Sequence, residues 1–193
     1  IWLSTDSIEY AKIAQEYGCK APYLRPDILS QDDSSSIDVV LHAMDFAESK
    51  GLRFDYIGLL EPTSPFVSSL DLDQALLDIE GDKNADSIVA VRENRPNTCF
   101  VQEEAKYLSS IANNIREINQ LGRQNFRRQV TPSGGFYISK WNKFKELRSF
   151  YTPNTLAYLL DDESGLEIDE PLDWLIAETI ITNKMKNEGT RII

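Results

Sequence analysis

The run Tyr56-Ile57-Gly58-Leu59-Leu60, stopped at once by Glu61-Pro62-Thr63-Ser64-Pro65, constrains the fold more than any other stretch. It shows no alternation of apolar and polar residues. A strand of that kind is buried on both faces, the habit of parallel sheets covered by helices. Proline lacks the N–H that a ladder needs, so the strand cannot run on. Ser87-Ile88-Val89-Ala90-Val91 repeats the pattern downstream.

Helical signals separate such runs. Ile1 to Ser4 reads as a short strand, and Thr5-Asp6-Ser7 offers caps for a helix from about Ser7 to Tyr17, with Gly18 at its end. Tyr23 and Leu24 form a brief extended piece, followed by a polar loop from Arg25 to Ser34. Ser34, Ser35 and Ser36 cap a helix near Ile37 to Lys50, where Val39, Val40, Ala43, Met44 and Ala47 recur at helical spacing and Gly51 closes. Ser69 is expected to cap a further helix through about Ile79. The order β-α-β-α-β-α-β predicts an α/β fold: a mostly parallel sheet, helices on both faces, right-handed crossovers. Ligands of such sheets bind beyond the carboxyl ends of the strands, which singles out the loops after Leu3, Leu60 and Val91.

From Arg92 to Val130 the rhythm breaks. The segment is polar, carries Asn113-Asn114 and holds the basic cluster Arg123, Arg127 and Arg128. It reads as an excursion from the sheet, a hairpin with a short helix. Gly135 to Ser139 returns to the sheet, a helix from about Lys140 to Leu147 follows, and Thr155 to Leu160 is a strand. Leu166-Glu167-Ile168-Asp169 is a short strand or turn. Glu170-Pro171 then opens a helix to about Lys186, with proline in the first turn where its missing N–H costs nothing.

Composition narrows the function. The 193 residues carry 20 Lys+Arg against 31 Asp+Glu, a net charge of −11. That balance argues against a general nucleic-acid binder, which shows a basic footprint. No apolar run approaches the ~18 residues of a membrane span, and no signal-peptide pattern is seen. Cys19 and Cys99 lack metal-ligand spacing and read as free thiols in a reducing cytoplasm. One histidine, His42, excludes a two-His metal site within the chain and leaves Ser-His catalysis without support. Neither a GxxxxGK[ST] nor a GxGxxG occurs. The length fits one domain, or one domain plus a lobe. The chain opens on a strand without Met, and an N-terminal piece is expected to be missing.

Four groups carry chemistry. Glu167 and Asp169, two residues apart on an extended segment, share a face, and close carboxylates repel unless a proton or cation lies between them. A hard cation such as Mg²⁺ takes one or two carboxylates plus phosphate oxygens; a solvated acidic turn stays open as the alternative. Glu61-Pro62-Thr63-Ser64-Pro65 offers a stiff loop with two hydroxyls, or an ordinary turn. Arg25 and the serines at 34–36 offer donors to a nucleotide, or simple capping. Arg123, Arg127 and Arg128 suit an anionic substrate, or a salt-bridge patch. Gly134-Gly135 reads as a flexible pair before a strand.

Taken together these stretches resemble the acylneuraminate cytidylyltransferase family, the CMP-sialic acid synthetases. The residues that carry the resemblance are Ser4-Thr5-Asp6, Arg25-Pro26 with Asp33-Ser34-Ser35-Ser36-Ile37, Leu59 to Pro65, Gly134 to Ile138, and Glu167-Ile168-Asp169 with Pro171-Leu172-Asp173. They are in order over nearly the whole chain. The resemblance implies a nucleotide-diphospho-sugar transferase sheet, one cytidylyltransferase domain over 1–193 with residues 92–133 inserted as a dimerisation and substrate lobe, and hence a homodimer. It implies transfer of CMP from CTP to the anomeric hydroxyl of a nine-carbon 2-keto sugar acid, releasing pyrophosphate. It places Arg25, Ser35 and Ser36 near the nucleotide, Glu61 near nucleotide and sugar, and Arg123 with Gln124 near the acidic substrate. Glu167 and Asp169 match the family's magnesium-binding, catalytic pair.

Departures are specific. The glycine- and basic-rich loop that wraps CTP phosphates in the family is absent from this chain, which is therefore expected to be inactive alone. Glu61 stands where Gln is common, Val67 where Arg is frequent, Thr131 where a sugar-contacting Arg occurs, and Ser133 where Asn is common. The changes at Glu61 and Thr131 widen the expected substrate from N-acetylneuraminate to legionaminic- or pseudaminic-type sugars. Two alternatives remain open: another sugar nucleotidyltransferase, and a non-catalytic dimeric domain of the same fold.

Overall fold

The computed structural model describes residues 1–94, 100–103, 107–110 and 128–190. Helix α1 spans Ile8–Glu16, a 3₁₀ turn Asp27–Leu29, α2 Ser36–Ser49, β1 Tyr56–Leu59, α3 Ser69–Gly81 and β2 Ser87–Asn94. Then come β3 Phe100–Glu103, β4 Tyr107–Ser110, β5 Gln129–Lys140, α4 Trp141–Leu147, β6 Thr155–Leu160 and α5 Pro171–Thr190. The fold is the expected mixed α/β architecture, and the expected alternation holds from α2 to β2, while neither Ile1 to Ser4 nor Tyr23-Leu24 forms a strand.

Side-chain caps fix the helix starts. Ser7 Oγ accepts the Tyr10 N–H at 3.2 Å, and Ser35 Oγ accepts that of Ile37 at 3.2 Å. At α3 the cap is Ser68, not the expected Ser69. Ser68 Oγ accepts the Asp71 N–H at 3.2 Å while Asp71 accepts the Ser68 N–H at 2.9 Å. That reciprocal box needs an acid three residues on, which Ser68 has and Ser69 lacks. Gly51 follows α2 at φ 72°, a left-handed conformation that glycine takes without steric cost.

Strands β1, β5, β2 and β6 form one sheet in that order, and β3 pairs antiparallel with β4, Phe100 opposite Ser110. Backbone bonds at the strand ends give the directions. Lys140 N–H donates to Asp86 O at 2.9 Å, Trp141 N–H to Asp55 O at 2.8 Å, and Asp86 N–H to Asn154 O at 3.1 Å. The end of β5 therefore lies beside the starts of β1 and β2, and β5 runs against them. The starts of β2 and β6 lie together, so these two run parallel. Three of the four strands share a direction. The expected strand at Ile1 to Ser4 is reduced to isolated parallel bridges, Trp2 with Lys20 and Thr5 with Leu24.

By contacts the chain divides into two compact units: Ile1–Leu59 with Asn84–Ser87 and Ile138–Thr155, and Leu60–Lys83 with Ile88–Tyr137 and Leu156–Ile193. The first is centred on Val40, Met44 and Ala47 of α2 with Ile138, Trp141, Phe144 and Phe150. Its rings interlock: Phe144 lies 4.5 Å from Phe150, and Tyr23 4.8 Å from both His42 and Phe46. The second buries Ala75 and Ile79 of α3, Ile88 to Val91 of β2, Phe136, Leu160 and Ala177.

Candidate functional site

The candidate site lies in the second unit, where three chain segments meet. The first is the loop after β1. Pro62 and Pro65 stop the strand, so the backbone of Thr63 and Ser64 is free for other partners. Thr63 O accepts the N–H of Ile168 at 2.8 Å. Ser64 Oγ, buried, donates to Ser133 O at 3.3 Å. These two bonds join the loop to the segment of Glu167 and to the early part of β5.

The expected extended segment Leu166 to Asp169 carries no regular ladder. Its middle residue is pinned by that one bond to Thr63, and the following helix start is capped from inside. Asp173 Oδ2 accepts the N–H of Asp169 at 3.1 Å and of Glu170 at 2.8 Å. An acid in the first turn also suits the helix dipole. Asp169 is exposed and Glu167 partly buried.

Glu61 and Glu167 both hold their protons more tightly than free carboxyls do. Burial, with the Glu167 charge adding to it, raises the Glu61 carboxyl above its ordinary range. Burial is also the main cause for Glu167, followed by the charge of Asp169; Arg92 opposes the rise and Asp173 adds to it. Neither Glu61 nor Glu167 has an ion-pair partner among the described residues. Glu167 and the neighbouring Asp169, neither in an ion pair among the described residues, offer oxygen donors that fit a hard cation. The protein by itself does not enclose one: among the described residues no three His, Cys, Asp or Glu side chains are grouped to hold an ion. Two carboxylates with the rest of the shell from phosphate and water is the arrangement that Mg²⁺ favours.

Gly134, read from sequence as flexible, lies against the Glu167 carboxylate. It sits at φ 65° inside β5, and a side chain there would overlap the Glu167 carboxylate and come within 3.2 Å of Ser64 Oγ. Ser133 Oγ beside it is buried without a hydrogen-bond partner among the described residues. The roles of Ser64, Gly134 and Asp173 were not read from the sequence. For Asp173 the signal was there, an acid three residues after Glu170 at a helix start.

Arg25, Ser35 and Ser36 belong to the first unit. Arg25 N–H donates to Thr5 O at 2.8 Å, its Nε to Ser30 Oγ at 3.1 Å, and its guanidinium lies 4.0 Å from Asp6. The Thr5-Asp6 and Arg25-Pro26 motifs are thus one structural group. Ser35 spends its oxygen on capping α2, and Ser36 is the exposed first residue of that helix. Arg123, Gln124, Arg127 and Cys99 lie outside the described residues. Arg128, of the same basic cluster, pairs with Glu93 at 2.8 Å.

A family model described as cytidylyltransferase matches residues 1–164. The N-acylneuraminate cytidylyltransferase of Escherichia coli is 28% identical over 188 residues, covering 96% of this chain and 43% of that protein. The CMP-N,N'-diacetyllegionaminic acid synthase of Legionella pneumophila is 30% identical over 193 residues, covering 94% of this chain and 77% of that protein. A solved structure of CMP:2-keto-3-deoxy-manno-octonic acid synthetase complexed with CTP superposes with a TM-score of 0.62 at 16% identity, over 95% of this chain and 80% of that one. The chain spans less than half of the Escherichia coli relative and about three quarters of the Legionella one. The chain belongs to the cytidylyltransferase family.

Among the described residues no helix is long and apolar enough to cross a membrane.

Proposed function

We propose that the protein transfers CMP from CTP to the anomeric hydroxyl of a sialic-acid-like nonulosonic acid, with release of pyrophosphate. The observation that supports this is that Glu61 and Glu167, both raised in pKa and without an ion-pair partner among the described residues, stand with Asp169 where the segments after β1 and β6 meet in a chain of this family. The sugar oxygen bonds to the α-phosphorus and the bond to the bridging oxygen of pyrophosphate breaks. Such a transfer needs placement and charge neutralisation more than covalent catalysis. Mg²⁺ held by Glu167 and Asp169 would supply positive charge to the phosphate oxygens.

The chain's own residues do the rest. Asp173 holds the backbone of Asp169 and Glu170, and Thr63 holds that of Ile168, so the two carboxylates are set before substrate arrives. Arg25, Ser35 and Ser36 serve the nucleotide, Glu61 the nucleotide and sugar, and Arg123 with Gln124 the sugar carboxylate. A carboxylate at Glu61 accepts hydrogen bonds where an amide would also donate, which favours a sugar presenting hydroxyl or amide donors there. The match to a legionaminic acid synthase supports including that sugar type beside N-acetylneuraminate. The protein works as a homodimer in the cytoplasm.

The test is pyrophosphate release from CTP, UTP and GTP with N-acetylneuraminate and with legionaminic- and pseudaminic-type acids, at varied Mg²⁺. CTP is expected to be the one effective nucleotide, and replacing both Glu167 and Asp169 by Ala is expected to abolish turnover. Wild-type turnover by that double variant would refute the assignment of the pair. Light scattering is expected to show a dimer.

A further inference from the structure

We propose that Gly134 is a positioning residue for the Glu167 carboxylate, which is held in the space that any side chain at 134 would fill. A Cβ on Gly134 would overlap Glu167 Oε1, lie 2.8 Å from its Cδ and lie 3.2 Å from Ser64 Oγ. A contact nearer than 3 Å cannot be absorbed without moving something, and here what must move is the carboxylate. The walls of this space are tied down. Ser64 Oγ donates to the carbonyl of Ser133, the residue before Gly134. Thr63 O accepts the N–H of Ile168, the residue after Glu167. The backbone at 134 adds a second requirement, since φ 65° in a strand is a left-handed kink that glycine adopts most readily.

The neighbouring glycine gives the contrast. A Cβ on Gly135 would meet Val67 Cγ2 at 2.9 Å and Leu160 Cδ1 at 3.0 Å, both apolar. Gly135 is required for packing, and Gly134 for the acid. This inference rests on the assignment of Glu167 as a cation ligand, and the experiment separates the two.

The experiment compares Gly134→Ala, Gly135→Ala, Glu167→Ala, Glu167→Asp and Gly134→Ala/Glu167→Asp by melting temperature and by Mn²⁺ binding in the presence of CTP, followed by paramagnetic resonance. Gly134→Ala is expected to weaken Mn²⁺ binding by about tenfold or more, the range for residues that orient a ligand. Glu167→Asp, one methylene shorter, is expected to weaken binding in the wild-type background and to restore part of it in the Gly134→Ala background. Gly135→Ala is expected to lower the melting temperature without this coupling. Should Gly134→Ala fail to fold, the double variant is expected to fold, because the overlap has been relieved; failure of both would overturn the proposal, leaving backbone conformation as the cause. Wild-type Mn²⁺ binding by Gly134→Ala, or an equal effect of Glu167→Asp in both backgrounds, would also overturn it. Wild-type Mn²⁺ binding by Glu167→Ala would instead reject the ligand role of Glu167, while the melting comparison would still decide the steric claim.

Discussion

The acids that brace the first unit and the two glutamates of the candidate site are held differently. Among the former, Glu48, Asp38 and Asp86 have cations or donors at hand. Glu48 takes the Lys145 ammonium at 2.7 Å and the Trp141 Nε1–H at 3.1 Å, and these bonds hold its carboxyl below the ordinary range. Asp38 binds Arg148 at 2.7 Å. Asp86, mostly buried, accepts from Asn154 at 3.1 Å and Thr152 at 3.4 Å, with Lys143 at 3.9 Å. At the candidate site burial pushes Glu61 and Glu167 the other way, with the charge of Glu167 adding to it at Glu61 and that of Asp169 at Glu167. Acids of the first kind are part of the scaffold. Acids of the second kind have no ion-pair partner among the described residues, and groups perturbed in this way cluster at functional sites.

The contrast can be broken in order of expected effect. Glu167→Gln keeps the size and removes the charge; pyrophosphate release should fall by about a hundredfold or more if that oxygen charge holds the cation, while the melting temperature of the ligand-free protein should hold or rise. Asp86→Ala should do the reverse. It strands the donors of Asn154 and Thr152, for about 2–3 kcal/mol, seen as a drop of about 5 °C or more in melting temperature, with cation affinity of the folded protein unchanged. Smaller again, Glu61→Gln should raise the stability of the ligand-free protein at neutral pH, since it removes a charge that burial and the nearby Glu167 charge disfavour. The smallest effect is that of Lys145→Ala, a surface partner whose contribution salt should screen.

The pH dependence of these variants carries opposite signs. Glu61 and Glu167 hold their protons more tightly folded than unfolded. Their contribution to stability is fully present below the unfolded carboxyl pKa and is lost as pH rises through the folded value. The gain from Glu61→Gln should therefore vanish on acidification below about pH 4. Glu48 is the opposite case: its contribution is present above the unfolded pKa and is lost as pH falls through its depressed folded value. Melting curves from pH 3 to 8 on Glu61→Gln and Glu48→Gln should diverge from wild type in opposite directions toward neutral pH, and both differences should close on acidification.

Local physics made much of the fold legible in advance. Ser7 and Ser35 cap where a hydroxyl precedes an apolar helical pattern, Gly51 ends its helix, and β6 falls on Thr155–Leu160. The reversed direction of β5 was not legible, because direction depends on where the excursion after β2 re-enters the sheet, and no local pattern records that. The acids at 167 and 169 were visible as a pair by spacing, and Glu61 by its place after a buried strand. That Glu61 and Glu167 act on each other, and that Gly134 makes room for one of them, are long-range facts. A lone glycine before a strand carries no sign of the side chain it must accommodate.

The single bond from Ile168 to Thr63 has a kinetic consequence. It joins residues far apart along the chain, so the acid pair cannot be set until the segment after β6 has docked on the loop after β1. Contacts between such distant residues form slowly and late, because a long loop must close first. A chain halted before that closure would carry Glu167 on an unanchored segment, so this part of the molecule matures only once the two distant segments have joined.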